Sequence, residues 1–289
     1  MKPKFTVPDH LKPYQRRVTA NGVGLHLYDS GAAPSQDPPF VLIHGLGDEA
    51  DSWQKVFPLL AGRGRVVALD LPGFGRSDHP KRAYTLPFFA DTVVALLEQL
   101  KVPQAVLVGS SFGAGVALRV ALRRADLVAR LVLVGGPPVR SKLGRLQMMF
   151  LIPGQGERIY NSFRVSQEAA YESLRPYYGN LDALPPEDRQ FLRERVWDRV
   201  WSDDQRRAYF STFRWLALEG LLGRPSPSQL GQLRTPTLIV WGEQDRVIPA
   251  EAGRTLQRWI PGAKLQIIPG CGHLPQQEKP LELVRLILQ

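Results

Sequence analysis

Cysteine is all but missing from this sequence: Cys271 is the single one among 289 residues. One thiol cannot make an internal disulfide, which agrees with a reducing compartment, and a cytoplasmic protein is expected. No apolar run approaches the ~20 residues of a membrane span. The first stretch, MKPKFTVPDHLKPYQRR, holds no apolar segment of the kind a secretory signal needs. Membrane insertion is therefore not expected. Runs of one charge are also absent. Lys and Arg number 37 against 27 Asp and Glu, a formal +10, yet the basic residues are scattered, as on a solvated surface rather than a nucleic-acid patch. Neither a metal-ligand cluster nor a dinucleotide-binding fingerprint occurs, so no cofactor or metal is implied, and there is no internal repeat.

What is present is a regular alternation. Two short alternating runs around RRVTANGVGLHLYDSG, joined at Asn21-Gly22, predict an opening hairpin. PFVLIHG, RVVALD, QAVLVGS, ARLVLVGG, TPTLIVWGE and KLQIIPG then read as continuous apolar strands covered on both faces. Between them lie helical spacings, such as Phe89, Val93, Leu97 and Leu100, and later Leu283, Leu286 and Ile287. The fold class is α/β, with a mostly parallel central sheet and helices on both faces. The alternation stops between residues 137 and 233, where only helical patterns appear: Leu192, Val196 and Val200, then Tyr209, Phe213 and Leu216. This stretch is expected to be a helical cap inserted into a core of residues 1–136 and 234–289.

The residues VLVGSSFGAGVAL carry the chemistry. A buried strand enters and a helix starts at Phe112, so Gly109-Ser110-Ser111-Phe112-Gly113 fits G-x-S-x-G at a strand-to-helix turn, with Ser111 central. Side chains two residues to either side would collide with the strand and helix, which accounts for the glycines, and Gly115 is expected to let the helix lie close to the sheet. Ser110 points elsewhere and reads as a small packing residue. A serine hydroxyl needs a base, and the base an orienting carboxylate. His273, in GCGHLP after the last apolar strand, is placed to be that base. Asp245, in the loop after TPTLIVWG, is the candidate acid, with Glu243 its rival. His44 reads as a loop-shaping residue, His10, His26 and His79 as surface or packing residues, and Cys271 as core.

On these motifs the chain resembles the α/β-hydrolase fold superfamily, and the order Ser, Asp, His is that family's order. The resemblance implies Ser111 as nucleophile, His273 as general base and acid, and Asp245 rather than Glu243 as orienting acid. His44-Gly45-Leu46-Gly47 is similar to the family's oxyanion loop, which implies backbone N–H donors at Leu46 and Phe112. DLPGFGRSD resembles the loop after the following strand and is expected to be structural. Relatives that dehalogenate alkanes or open epoxides use an aspartate nucleophile, and Ser111 argues against their chemistry.

The expected activity is hydrolysis of carboxylic esters with apolar acyl groups, through an acyl-enzyme on Ser111. Hydrolysis of a carbon–carbon bond in a ring-cleavage diketone is the alternative. Those relatives carry an asparagine before the serine, a Pro-Gly-Ala-type oxyanion loop and a tryptophan after the histidine, where this chain has Ser110, GDEADSW and Leu274. A ligand receptor retaining the triad is a third reading. Met148, Phe163, Tyr209, Phe213 and Trp215 are candidates to line an apolar pocket in the cap, with the ester itself as partner.

Overall fold

Asn21 and Gly22 turn the chain as their residue types suggest. Both take positive φ (52° and 71°), and β1 (Gln15–Ala20) pairs antiparallel with β2 (Val23–Asp29) across them. The computed structural model describes residues 4–31, 37–138, 145–222 and 225–289. Six more strands follow: β3 (Phe40–Ile43), β4 (Val66–Leu69), β5 (Ala105–Ser110), β6 (Val128–Val134), β7 (Thr237–Gly242) and β8 (Lys264–Ile268). The sheet order is β1-β2-β4-β3-β5-β6-β7-β8. Only the β1–β2 and β2–β4 pairings are antiparallel; β4 to β8 run parallel.

Helices cover both faces because the buried strands are apolar on both sides. One face packs against α2 (Leu86–Gln99), α3 (Phe112–Arg123) and α10 (Glu251–Trp259), burying Phe89, Val93, Leu97, Val116 and Leu256. The other packs against α1 (Val56–Ala61) and α12 (Pro280–Ile287), burying Phe57, Leu60, Leu283 and Ile287. The predicted α2 stripe is present, and Thr85 caps that helix by accepting from the Phe88 N–H (3.3 Å). Strand β8 departs from expectation. It is the sheet edge, and Lys264 and Gln266 are exposed on it, so one face meets water.

Between β6 and β7 every described element is helical: α4 (Arg145–Leu151), α5 (Gln155–Ser162), α6 (Gln167–Glu172), α7 (Pro186–Trp201), α8 (Asp203–Leu222) and α9 (Pro227–Leu230), with short 3₁₀ turns among them. Leu192, Val196 and Val200 of α7 close a separate small core with Ala170, Tyr171, Tyr178 and Leu181. At its far end Leu230 and Leu233 are buried in the main core with Leu256 and Ile260, as is Ala208 of α8, so the insertion packs directly onto the core. No described helix is long and apolar enough to cross a membrane. The short α11 (Pro275–Glu278) follows His273 and leads into α12.

Candidate active site

Ser111 sits between β5 and α3 at φ 53°, ψ −112°, a conformation costing a non-glycine residue roughly 1–3 kcal/mol. The chain holds it there by close approach. A Cβ on Gly109 would fall 2.2 Å from the Gly113 carbonyl oxygen, and one on Gly113 would fall 2.3 Å from that of Ile43. The Ser111 N–H donates to the Val134 carbonyl (2.7 Å), which pins the elbow to β6. Gly115 differs from the sequence reading. Its Cβ position meets only Pro137 and Leu86 at ordinary contact distance, so Gly113, not Gly115, brings helix and sheet together.

Asp245 and His273 meet as the sequence order suggests. His273 Nδ1 lies 2.7 Å from Asp245 Oδ2, and both side chains are buried. Asp245 Oδ1 accepts from the Val247 and Ile248 N–H groups (2.9 and 2.8 Å), leaving Oδ2 aimed at the imidazole. An ionised carboxylate only accepts, so Nδ1 carries the proton and Nε2 is left as the basic nitrogen. Glu243 stands apart from this pair: it is exposed and accepts from the Gly270 N–H (3.1 Å).

The turn after β6 joins the two halves. A Cβ on Gly136 would lie 2.4 Å from the Ser111 carbonyl oxygen, and one on Gly135 would lie 3.0 Å from that of His273. Ser110 is more than small: Gln276 Nε2, on α11, donates to its Oγ (3.1 Å) in the buried interior. The cap also grips this loop, because the His273 N–H donates to the Tyr177 carbonyl (2.8 Å). Gly179 and Gly272 N–H groups both donate to Glu278 (2.8 Å each).

The oxyanion loop lies against the elbow, with the Gly45 Cβ position 3.5 Å from Ser111 Cβ. His44 shapes it from below. Its Nε2 accepts from the Leu71 N–H (2.9 Å), so its Nδ1 donates to the Gly45 carbonyl (2.7 Å), and burial keeps its pKa below the usual value. The Phe112 N–H, first in α3, has no acceptor within its own helix. Among the described residues, no backbone acceptor takes the Leu46 N–H either. Leu46 and Phe112 are thus the candidate donors for the pair of N–H groups that a developing alkoxide requires. DLPGFGRSD is structural, as expected: Asp70 accepts from the Ala50 and Arg76 N–H groups (2.6 and 2.8 Å) and pairs with His26. Burial pushes its carboxyl up, but the bond to His26 and the charge of Arg76 outweigh that and hold it low.

The five cap candidates divide. Phe213 stacks on Tyr209 (6.2 Å, 2°) and meets Phe150 edge-on (6.2 Å), and Phe163 packs on Tyr160 (6.1 Å). Met148 and Trp215 do not join them. Trp215 is 38% exposed and lines an outer groove with Arg206, Arg207 and Arg214, because two residues along a helix reverse the direction that Phe213 faces. Met148, 52% exposed, stands likewise opposite buried Phe150. Cys271 is fully buried, and burial pushes its thiol up, as expected of core.

Two features had no signal in the sequence. Tyr177 brings its ring within 5.9 Å of His273, from a 3₁₀ turn without periodicity. Arg199 on α7 gives its Nη2 to Asp48 (2.5 Å) and Glu49 (3.2 Å), immediately after the oxyanion loop, while Arg195 and Arg76 pair with Asp51 (3.3 and 2.7 Å). The pairs from Arg195 and Arg199 clamp cap to core, whereas Arg76 holds Asp51 from within the core, and removing one partner of such a buried pair typically costs ~3–5 kcal/mol.

A strained serine elbow, a bonded Asp–His pair and an oxyanion loop on a parallel sheet define a hydrolase of the α/β class. The chain belongs to the alpha/beta hydrolase fold family, whose model matches residues 38–280. It is 31% identical over 269 residues to the uncharacterized hydrolase YugF of Bacillus subtilis (strain 168), covering 92% of this chain and 93% of that one. It is 30% identical to 2-hydroxymuconate semialdehyde hydrolase of Pseudomonas sp. (strain CF600), covering 98% and 95% of the two chains. Among solved structures it resembles the meta-cleavage product hydrolase of Pseudomonas fluorescens IP01, with TM-score 0.79, 26% identity and coverage of 94% and 96%.

Proposed function

We propose that this hydrolase cleaves the carbon–carbon bond beside a ketone in a ring-cleavage diketone, so the alternative reading of the sequence displaces simple ester hydrolysis as the leading one. The observation that carries it is the reach of the likeness to 2-hydroxymuconate semialdehyde hydrolase, which spans 98% of this chain and so includes the cap as well as the core. Core likeness alone would speak only for the fold, whereas the cap shapes the substrate's surroundings.

The residues supply each step. Ser111 Oγ attacks the ketone carbon as His273 Nε2 takes its proton, and Asp245 steadies the imidazolium. The alkoxide is held by the Leu46 and Phe112 N–H groups. On collapse the carbon–carbon bond breaks, its electron pair passes to the leaving carbon, conjugated with the enone, and the imidazolium returns the proton there. Water, deprotonated by His273, then releases the acid from Ser111.

The same machinery cleaves esters, with an alkoxide leaving instead. Ser110 and Leu274 favour that second reading, since the first is bonded to Gln276 and the second packs into the cap core, so neither stands in for the asparagine and tryptophan of the diketone hydrolases. Turnover of a 2-hydroxy-6-oxo-dienoate beside short and long p-nitrophenyl esters tests the choice. The diketone is expected to have a kcat/KM higher by orders of magnitude. A preference for any ester reverses the assignment, and turnover of neither supports a receptor.

A further inference from the structure

The turn that carries the Leu46 N–H is fixed first by its own backbone. It runs from Gly45 to Asp48, closed by the Asp48 N–H on the Gly45 carbonyl (3.2 Å), and Gly47, third in the turn, takes φ 74°, a conformation that favours glycine. His44 Nδ1 donates to the same carbonyl (2.7 Å). A trans peptide sets its C=O and N–H on opposite sides, so the two donors on the Gly45 carbonyl turn the Leu46 N–H away from both of them. Gly45 itself lies against Ser111.

Further contacts on this turn come from the cap. Gln205 of α8 donates through Nε2 to the Gly47 carbonyl (3.3 Å) and accepts at Oε1 from the Gly75 N–H (3.1 Å), so its amide is engaged at both ends between two loops of the core. One helical turn along α8, Tyr209 lays its ring edge 3.0 Å from the Cβ position of Gly47. Arg199 of α7 reaches the fourth residue, giving Nη2 to Asp48 (2.5 Å) and to Glu49 beside it (3.2 Å). Gln205, Asp48 and Glu49 are all buried, and a buried carboxylate or carbonyl that loses its donor is driven to move. Lys55 also pairs with α7, through Asp188, but it follows the 3₁₀ turn Ala50–Trp53 and lies outside the oxyanion turn.

We propose that Arg199 and Gln205 are positioning residues for the oxyanion hole: from the cap they fix the fourth and third residues of the turn Gly45–Asp48, and through them the direction of the Leu46 N–H. Neither touches the reacting atoms. The hole is then complete only with the cap seated on the core, which makes the cap part of the machinery that stabilises charge as well as a cover for the substrate. The physical reason is preorganisation. A donor already aimed at the developing alkoxide needs no rearrangement during the reaction, whereas a turn free to rock loses part of that stabilisation. Arg199 acts through an ion pair and Gln205 through a neutral bond, so the two can be removed by different chemistry. The inference rests on Ser111 as nucleophile and holds for an ester or a carbon–carbon bond alike, because both pass through an alkoxide on the attacked carbon.

Fluorine NMR titration with 1,1,1-trifluoro-2-octanone and the matching alcohol, 1,1,1-trifluoro-2-octanol, tests this without turnover. Addition of the Ser111 hydroxyl to the ketone gives a hemiketal alkoxide that draws on the oxyanion donors, with the proton passing to His273, while the alcohol fills the same space and cannot be attacked. The readout is the preference for ketone over alcohol. Arg199→Met and Gln205→Leu are each expected to lower it about tenfold to hundredfold, less than the loss of a whole oxyanion donor, and to lower kcat with little change in KM. Arg199→Lys keeps a cation and should regain part of the preference, and Lys55→Met removes a cap–core pair away from the turn and should leave it unchanged. Thermal unfolding establishes that each variant folds; Gln205→Leu strands no carboxylate and carries the test by itself if Arg199→Met does not fold. A wild-type protein without the preference sinks Ser111 and its oxyanion hole, and this inference with them. A preference present in the wild type and kept in both variants, or lost equally in Lys55→Met, overturns the positioning role alone.

Discussion

Gln276 Nε2 donates to Ser110 Oγ across 3.1 Å, which bonds the residue beside the candidate nucleophile to the helix that follows His273. Both side chains are fully buried, and Gln276 Oε1 has no partner of its own. Ser110→Ala therefore strands a second polar atom of Gln276, and is expected to lower stability by ~1–3 kcal/mol while retaining most activity. Ser110→Ala combined with Gln276→Leu should recover part of that loss, because both partners are then apolar. Denaturant unfolding of the two variants measures it. Equal destabilisation by the single and double changes would show that the contact does not couple.

Removal of Ser111 separates the two adjacent serines. Ser111→Ala should abolish covalent labelling by an organophosphonate and lower turnover by roughly four to six orders of magnitude. Mass spectrometry of the labelled peptide decides which serine reacts, and a label on Ser110 would transfer the role.

The acid can be tested against its neighbour. Asp245→Asn replaces an acceptor with an amide that cannot hold the Nδ1 proton in the same way, leaving the imidazole in the wrong tautomer, so activity should fall by about three to four orders. Glu243→Gln touches only an exposed bond to Gly270 and should cost less than tenfold. The opposite ranking in steady-state kinetics would reassign the acid.

Glu49 makes the cap–core clamp sensitive to pH. Burial pushes its carboxyl from the ordinary 4.5 up to about 7, opposed by Arg199, Arg195 and Arg76 and reinforced by Asp51. A group whose pKa is raised on folding binds its proton more tightly in the native state, so stability is highest below pH 4.5 for this group and declines as pH rises to about 7. Glu49→Gln, neutral at every pH, should flatten that decline. Melting curves of both proteins from pH 5 to 8 provide the comparison, and an unchanged slope in the variant would exclude Glu49 as its source.

Local chemistry made much of this molecule readable. The Asn21-Gly22 turn, the apolar strands and the elbow each depend on residues within a few positions, and Asp245 and His273 lie at strand ends that the fold brings together. What escaped are contacts between distant segments. Arg199 reaches Asp48 across the cap–core boundary, Gln276 reaches Ser110, and Tyr177 reaches His273, and none of these pairs leaves a periodic trace in the chain. Edge position was hidden as well. The run KLQII reads as apolar, but in β8, the last strand of the sheet, Lys264 and Gln266 share one face and that face is exposed.

Phe213 and Trp215 lie two residues apart on α8 and face opposite ways, which makes them a matched pair for locating the substrate wall. Phe213 is sandwiched by Tyr209 and Phe150, while Trp215 borders the outer arginine groove. Phe213→Ala removes a ring stacked on Tyr209 and should shift the preferred chain length in an ester series while leaving the triad intact. Phe213 is only half-buried, so its truncation should cost about 2 kcal/mol, below the ~3–5 kcal/mol of a fully buried phenylalanine. Trp215→Ala should leave the profile unchanged and lower stability by less than about 1 kcal/mol, since an exposed ring gives up little packing. Chain-length profiles and thermal unfolding on both variants decide between wall and scaffold. A large drop in melting temperature for Phe213→Ala with an unchanged profile would make that ring cap core, and a shifted profile for Trp215→Ala would move the substrate wall to the outer face of α8.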